Sequence, residues 1–312
     1  MDHQLPTGLA SGGSVRLTDW ALLRAHGADA ATFLQGQLTQ DVVGLSADEV
    51  RLGGYCSPKG RLLASFVIWH MGAEDFGLLC SADVAAAVRK RLSMYVLRAR
   101  CRIEETSSQW AVFGVAGRAC ASGEAPAPWR ACQRDGGQWW LGLPAVEQVP
   151  RWLLVQPADA PAPGGPALDP GAWSWLEVAS GVPRITAATS EQFVPQMINF
   201  ELVGGVHFQK GCYPGQEVVA RSQYRGTIKR RLHLFATVGS AQAGQELFHS
   251  GDPSQPAGMV VNAAVTHGVG TRVLAEVKLG ALDDGSLHLG SPDGALLQRL
   301  PLPYSVPELA DA

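Results

Sequence analysis

The sequence predicts an α+β protein that ends in a small β-barrel or sandwich. In the first part of the chain, helix-like segments with one apolar face follow strands that pair as antiparallel hairpins, which is typical of helices covering one face of a sheet. After Arg231 the helical pattern stops, and short strand-like segments alternate with Gly, Asp and Pro turns. We therefore expect a body over residues 12–231 and a C-terminal β unit, a barrel or a sandwich, over residues 232–312.

The body begins with a short strand from Val15 and a helix that follows Gly27. Asp29 is expected to cap this helix, whose apolar face carries Ala30, Phe33, Leu34 and Leu38. Two apolar runs, 51–56 and 61–70, then predict a hairpin. They are joined by Ser57, Pro58, Lys59 and Gly60, with Pro and Gly where a type I turn prefers them.

A further strand at 76–80 precedes a helix that Ser81 is expected to cap. Val84, Val88, Leu92 and Val96 recur one turn apart along this helix. The Pro/Ala/Gly-rich segment 158–165 predicts a surface connection. Asp169 and Pro170 then indicate a helix start, and Gly181 and Pro183 indicate its end.

The prediction of a barrel or sandwich depends on four apolar runs, each bounded by turn-forming residues: 232–238, 258–265, 272–279 and 296–300. No nucleotide-binding glycine pattern follows any of these strands. Dinucleotide binding is therefore not expected.

Composition excludes several classes of protein. The chain has 312 residues, 46% of them hydrophobic, and a formal net charge of −3, so a general nucleic-acid-coating role is not expected. The six cysteines form no C-x-x-C pair and no zinc-like spacing, which favours a reduced protein without a closed metal site. No apolar run approaches the roughly 18 residues of a membrane span. We expect a cytoplasmic protein.

One segment, from Gln209 to Arg231, does not look like a packing pattern. Cys212 precedes a helix predicted from Gln216 to Ser222, and the helix dipole together with Lys210 would favour a thiolate there. Most single cysteines are inert, however, and a small buried side chain explains the same residue equally well. The residues alone leave both interpretations open.

Residues 210–217, KGCYPGQE, resemble the signature of the YgfZ family, which comprises folate-binding relatives of the glycine-cleavage aminomethyltransferase. FLQGQLTQDV at 33–42, YCSPKGRLL at 55–63 and FVPQMINFELVGGVHFQKGC at 193–212 are also similar to that family. The resemblance implies an aminomethyltransferase (T-protein)-like fold, with a body of several subdomains around a central folate pocket and a C-terminal β-barrel.

The resemblance also implies a ligand and its site. Tetrahydrofolate is the expected cofactor, and two tryptophans associated with the family's pocket correspond to Trp20 and Trp173, whose flat faces suit a pterin ring. Plain core packing explains two of nine tryptophans equally well. Cys212 and Lys210 are expected to be functional, in roles that stay open. The signature helix adds four candidate cofactor-binding residues: Gln216, Glu217, Arg221 and Tyr224.

Two departures from the related enzymes bear on activity. Ala64 and Ser65 stand where aminomethyltransferases carry an aspartate pair, and neither can hold the negative charge that assists methylene transfer. Ala179 stands where relatives often have a pterin-recognising glutamate. Glu177, two residues earlier, is expected to point to a different face of the helix and not to replace it. Aminomethyltransferase activity is therefore not expected.

The leading hypothesis is a tetrahydrofolate-binding accessory protein for iron–sulfur cluster assembly or repair, which indirectly supports cluster-dependent enzymes, including tRNA-modifying ones. A single cysteine cannot hold a stable cluster, so contacts with iron–sulfur proteins or assembly factors would be transient. One alternative is a folate-dependent one-carbon transferase. A weaker alternative, direct tRNA binding, depends on a short basic run that could also attract the folate polyglutamate tail: Arg225, Lys229, Arg230 and Arg231.

Overall fold

The protein consists of two antiparallel five-stranded sheets and a closed barrel. A computed structural model describes residues 5, 6, 9, 11–117, 125–224, 228–266 and 270–307. The N-terminal sheet contains β2 (Trp20–His26), β3 (Val50–Cys56), β4 (Leu62–Gly72), β5 (Asp75–Ser81) and β6 (Arg102–Glu105). Its strand order is β3-β4-β5-β2-β6. The predicted hairpin is confirmed as β3 and β4, whose turn closes with a bond from Gly60 N to Ser57 O.

The second sheet, here called the central sheet, has the order β1-β7-β10-β9-β8. Its strands are β1 (Gly13–Arg16), β7 (Trp110–Ala116), β8 (Ala131–Arg134), β9 (Gln138–Val146) and β10 (Val149–Pro157). Residues 158–165 form a loop between β10 and the next helix, as predicted.

The C-terminal barrel is closed in the order β11-β14-β13-β12-β15-β16, with β16 returning to β11. It is built from β11 (Arg230–Thr237), β12 (Glu246–His249), β13 (Asp252–Thr266), β14 (Gly270–Lys278), β15 (Leu287–Leu289) and β16 (Leu296–Leu300). Closure leaves no unpaired sheet edge. The predicted barrel is therefore confirmed.

In the described part of the chain, four α-helices accompany the strands: α1 (Ala30–Gln35), α2 (Ala82–Val96), α3 (Pro170–Ala179) and α4 (Gln216–Tyr224). Helices α1 and α2 cover one face of the N-terminal sheet in a shared apolar core. Helix α3 packs against barrel strands β13 and β14. Short 3-10 turns lie at Asp135–Gly137, Ala187–Thr189, Pro195–Ile198 and Leu279–Leu282.

Asp29 and Ser81 occupy the N-cap positions of α1 and α2, as predicted, but neither side chain makes a capping hydrogen bond, because tertiary partners take both side chains. The Asp29 carboxylate accepts from the backbone N–H of Arg100 instead of capping α1, and the Ser81 hydroxyl accepts from Arg184. Asp169 does cap α3, accepting from Ala172 N at 3.1 Å. Leu38 is buried, as its apolar character suggests, but lies beyond the end of α1.

The largest apolar core lies where the two sheets, α3 and the barrel meet. Trp173 sits inside it with 1% of its surface exposed. A Cβ at Gly114 of β7 would lie 2.3 Å from its indole ring, so only glycine allows that close approach. This junction of three structural units surrounds the cavity described next.

Among the described residues, no helix combines the length and apolar character needed to cross a membrane.

Candidate functional site

A cavity of about 240 Å³ lies at the junction of the two sheets and the barrel. Every unit contributes to its wall: Leu52, Ser65 and Val67 from the N-terminal sheet, Arg151 and Leu153 from the central sheet, and Asn262 and Ala263 from the barrel. Helix α3 adds a face composed of Ser174, Glu177 and Val178. We call this space the central cavity.

The central cavity contains a carboxylate that is held by an indole and a guanidinium. Glu177 Oε1 accepts a hydrogen bond from Trp20 Nε1 at 3.2 Å, and Glu177 Oε2 lies 3.6 Å from Arg184 Nη2. The Arg184 guanidinium also stacks over the Trp20 ring, 4.6 Å from its centroid, and pairs with Asp19 at 2.5 Å. The Trp20 indole and the Arg184 guanidinium thereby fix the position of the Glu177 carboxylate.

The expectation that Glu177 points away from the pocket is wrong. Positions 174, 177 and 178 form one helical face, and that face is the one that α3 turns toward the cavity. Ala179 instead packs against the main core. The carboxylate missing at position 179 is thus present two residues earlier.

Burial raises the pKa of Glu177, while Arg184 and Arg151 and the Trp20 N–H act in the opposite direction. Burial lowers the pKa of Arg151 to about 10, so its guanidinium stays charged at neutral pH. The cavity therefore combines a carboxylate with cations in a largely apolar wall, the composition of a ligand site with a few orienting polar groups.

Trp129 also lines the cavity, and the sequence analysis did not single it out. It precedes β8, with φ of 60°, a conformation that is uncommon for a bulky residue and that concentrates at functional sites. The Trp129 backbone makes two hydrogen bonds: its C=O accepts from Val50 N, and its N–H donates to Gly142 O. In the sequence, the feature that could have indicated Trp129 is a large aromatic residue in an otherwise Pro- and Ala-rich connection.

The two predicted tryptophans have different surroundings. Trp20 lines the cavity, but its N–H and one ring face are already engaged by Glu177 and Arg184. Trp173 is enclosed in the main core behind the α3 face, and is not among the residues that line the cavity. The structure therefore brings only the first of the pair to the cavity wall.

Ala64 and Ser65 lie on opposite faces of β4, because successive side chains of a strand alternate. Ala64 is buried in the core beneath α1 and α2, whereas Ser65 lines the cavity. The Ser65 hydroxyl accepts a hydrogen bond from Ile185 N at 3.0 Å. This strand therefore brings no carboxylate to the cavity.

The signature, residues 210–217, lies away from these walls, at the turn of the β3–β4 hairpin. A Cβ at Gly215 would lie 2.4 Å from Ser57 O, and Gly215 has φ of +78°. Ser65 is five residues along β4 from Gly60, which at about 3.3 Å per residue is on the order of 16 Å. The hairpin thus carries the signature at its turn and a cavity wall farther along.

Lys210 anchors the signature. It is 8% exposed, and its ammonium donates hydrogen bonds to the backbone oxygens of Gln35 and Leu38, where α1 ends. It also lies 5.1 Å from the centroid of the Tyr213 ring, which is buried. Burial lowers the pKa of Lys210 to about 8. Cys212, between these anchored residues, is exposed.

Helix α4 presents its four candidate residues differently. Gln216 is half-buried and Tyr224 is exposed, with its ring 5.9 Å from that of Phe208. Glu217 and Arg221 are exposed and pair with each other at 2.8 Å. None of the four lines the central cavity.

Two of the basic residues that follow α4 form ion pairs with glutamates. Arg231 is 6% exposed and pairs with Glu201, while Arg230 pairs with the buried Glu276. Lys229 is exposed, and Arg225 lies outside the described residues. Arg231 is therefore unavailable to an anionic tail or a phosphate backbone.

Within the described ranges, no group of three or more His, Cys, Asp or Glu side chains could hold a metal ion. The five cysteines in those ranges are free thiols, and Cys120 lies outside them.

Comparison with known proteins identifies relatives of the whole chain. Residues 14–122 match the GCVT N-terminal domain. A tRNA-modifying protein YgfZ from Sodalis glossinidius is 33% identical, covering 94% of this chain and 93% of that protein. A protein of the same name from Escherichia coli O7:K1 is 31% identical with the same coverage.

The fold has a solved counterpart. The glycine cleavage system aminomethyltransferase T from Bartonella henselae matches with a TM-score of 0.73 over 93% of this chain and 85% of that one, at 14% identity. At this identity the match concerns the fold alone. It confirms the expected aminomethyltransferase-like architecture.

Proposed function

We propose that this chain, which belongs to the YgfZ family, is a cytoplasmic protein that binds a tetrahydrofolate in the central cavity and assists iron–sulfur cluster assembly or repair through Cys212. In this way it supports cluster-dependent enzymes, including those that modify tRNA. The observation that carries the folate proposal is the Glu177 carboxylate at the cavity wall. The relatives' name, tRNA-modifying protein, supports the link to tRNA.

Glu177 suits the donor edge of a pterin ring. That edge presents an amino group and a ring N–H side by side, and a carboxylate can accept from both. Trp20 and Arg184 already fix the carboxylate, so little orientation entropy is lost when a ligand binds. A hydrogen bond to a buried charged acceptor also discriminates strongly against rings that lack the donors.

The shape of the cavity supports the same assignment. Its volume of about 240 Å³ is just below the range of roughly 300–1,000 Å³ typical of pockets for whole drug-sized ligands. A bicyclic ring therefore enters the cavity while the remainder of the folate extends toward the opening. Trp129 supplies an aromatic surface for stacking, since one face of Trp20 is covered by Arg184.

Cys212 is suited to contact with another protein. It is exposed, and its flanks are held by buried Lys210 and Tyr213, so the thiol has a defined place on the surface. One thiolate cannot hold a cluster alone, because clusters are normally bound by several. If Cys212 supplies one ligand and a partner protein supplies the others while a cluster is transferred or repaired, both its exposure and its isolation are explained.

A folate-dependent one-carbon transferase is the alternative that purified protein can test directly. The aspartate pair is absent, and Ser65 already accepts a backbone hydrogen bond. We therefore expect binding of tetrahydrofolate without turnover of aminomethyl- or methylene-tetrahydrofolate. Observed turnover would establish the transferase instead.

Fluorescence titration tests the cavity. Tetrahydrofolate should quench the tryptophan emission of the native protein, and Trp129→Phe should lose much of that quenching. Trp140→Phe is the matched control, because Trp140 is buried on the opposite face of the central sheet. Equal quenching of both variants would contradict the assignment.

Complementation tests the thiol. A bacterial strain lacking its own family member should regain methylthiolated tRNA with the native chain but not with Cys212→Ala. Cys132→Ala, which removes a half-buried thiol elsewhere, should restore it. Normal tRNA modification with Cys212→Ala would remove Cys212 from the proposal. Salt-sensitive binding of tRNA by the purified chain would instead support a direct RNA role.

A further inference from the structure

Arg151 is a buried cation on the cavity wall whose hydrogen-bonding capacity is mostly unused. It is 4% exposed, and β10 places it on the same face as Leu153, which also lines the cavity. Its Nε donates to Pro144 O at 2.9 Å. Its two terminal amino groups make no hydrogen bond to any residue in the described ranges.

Glu177 does not neutralise this cation by contact. Its charge acts on Arg151 across the cavity, but its short contacts are with Trp20 and Arg184. Placing a guanidinium in a protein interior is unfavourable unless it is paired and hydrogen-bonded. A buried guanidinium on a cavity wall, with donors that no described residue accepts from, is therefore a site for an acceptor group of a ligand.

The cavity thus offers an acceptor, Glu177 on α3, and a donor fork, Arg151 on β10. A ring that presents N–H donors next to a carbonyl oxygen complements this arrangement. The 2-amino-4-oxo edge of a pterin has that pattern, whereas a 2,4-diamino edge places a second donor where the carbonyl would be. A guanidinium has five donors and no acceptor, so it cannot pair with that amino group.

We infer that Arg151 donates to the 4-oxo group of the bound ring and makes the cavity selective for 4-oxo pterins over 2,4-diaminopteridines. The inference rests on the proposed folate function and adds the ring chemistry that the cavity selects. The depth of Arg151 places it at the ring, because the anionic glutamate tail would extend outside so small a cavity.

Calorimetric titration of the full chain tests this selectivity. The probes are tetrahydrofolate and its 4-amino analogue, tetrahydroaminopterin. The native protein should bind tetrahydrofolate at least tenfold more tightly than the analogue. Arg151→Met, which keeps an unbranched apolar side chain, should weaken tetrahydrofolate at least tenfold and lower the ratio of the two affinities. The preference that remains comes from Glu177, because the analogue lacks the N3–H that this carboxylate accepts.

Arg151→Lys keeps the charge and serves as the second variant if Arg151→Met does not fold, with an intermediate ratio expected. Glu177→Gln should weaken tetrahydrofolate more than the analogue, since the analogue keeps the 2-amino donor but has no N3–H for Glu177 to accept. A native protein that binds both probes equally, or an Arg151→Met variant that keeps the native ratio, would overturn the inference while leaving folate binding intact. Absence of any binding to the native chain would instead refute the proposed function.

A tail-free probe, 6-methyltetrahydropterin, separates ring from tail. If Arg151 contacts the ring, Arg151→Met should weaken this probe by the same factor as tetrahydrofolate. If only tetrahydrofolate is weakened, Arg151 binds the tail carboxylates and the inference is wrong.

Discussion

At the scale of single residues, Glu177 is balanced between burial, which disfavours its charge, and nearby cations, which favour it. The net effect is a raised pKa. An acid with a raised pKa in the folded state stabilises the fold at low pH, and that contribution is lost as pH rises through the folded pKa. A ligand that donates hydrogen bonds to the ionised carboxylate reverses part of this loss.

Glu177→Gln should therefore separate stability from binding. Relative to the variant, the native protein should lose unfolding free energy as pH rises above about 4.5, measured by urea denaturation at several pH values. Tetrahydrofolate affinity should fall at least tenfold in the variant, because a hydrogen bond to a charged group contributes about 1.5–3 kcal/mol.

Glu217→Gln is the matched control for Glu177→Gln. The sequence indicates Glu217 as a cofactor residue, but it is exposed and contacts Arg221. We expect unchanged folate affinity. A loss with Glu217→Gln and not with Glu177→Gln would move the ligand from the cavity to the signature helix.

Lys210→Met should destabilise the fold by at least about 2 kcal/mol at neutral pH, because two hydrogen bonds from a charged amine are lost. The folded-state pKa of about 8 is below the ordinary value of 10.5, so the folded state binds fewer protons between these values. The stability difference between native and variant should therefore grow from pH 8 to 10.5. A difference that shrinks over this range would contradict the burial argument.

At the scale of elements, two turns meet backbone to backbone: the β3–β4 turn and the signature turn at Gly215. Gly60 and Gly215 both have positive φ, and a Cβ at Gly215 would lie 2.6 Å from Gly60 N and Cα. The requirement for glycine in the signature is therefore partly structural. The hairpin is the support on which Cys212 is presented.

Gly215→Ala should cost at least about 2 kcal/mol of unfolding free energy, since both the left-handed backbone and the close approach oppose a Cβ. Gly211→Ala is the control within the same signature, because a Cβ there meets nothing within 4 Å. Thermal unfolding of the two variants measures the contrast. Equal stability of both would show that the turns do not constrain each other.

Elements were predicted well where local chemistry decides them. The hairpin turn and helix α3 carry their own signals, Pro58 and Gly60 in one and Asp169 and Pro170 in the other. Asp29 and Ser81 stand at the predicted N-cap positions, but their side chains make no capping hydrogen bond because distant arginines bind them. The predicted orientation of Glu177 was wrong for a related reason. Packing against the barrel determines which face of α3 lines the cavity, and the helix sequence alone does not show it.

At the scale of the whole molecule, both sheets, the barrel and α3 share the cavity wall. No local pattern in the sequence predicts this junction, because it is formed by residues that lie up to about 240 positions apart, from Asp19 to Ala263. The expectation of a central pocket came from resemblance, and it did not include Arg151 or Trp129. Both belong to the central sheet or its connections, away from the signature.

Ligand binding should consequently protect all three units together. At a concentration 100 times its Kd, tetrahydrofolate should stabilise the fold by about 2.7 kcal/mol and raise Tm by several degrees. Hydrogen exchange should slow in 151–155, 174–186 and 260–264, with helix α2 as the unaffected control. Protection confined to one unit would contradict a shared site.

Arg184 joins the units at a single point. Its backbone N–H and C=O bond to the side chain of Asn262 in the barrel, at 2.9 and 2.8 Å, while its guanidinium reaches Asp19 and Ser81 beside the N-terminal sheet and Glu177 on α3. A small rotation of the barrel would therefore move the Arg184 guanidinium relative to Glu177. The distance between the two charges, and with it the pKa of Glu177, would change. Arg184 therefore both aligns the three units and counteracts the rise in the pKa of Glu177 that burial causes.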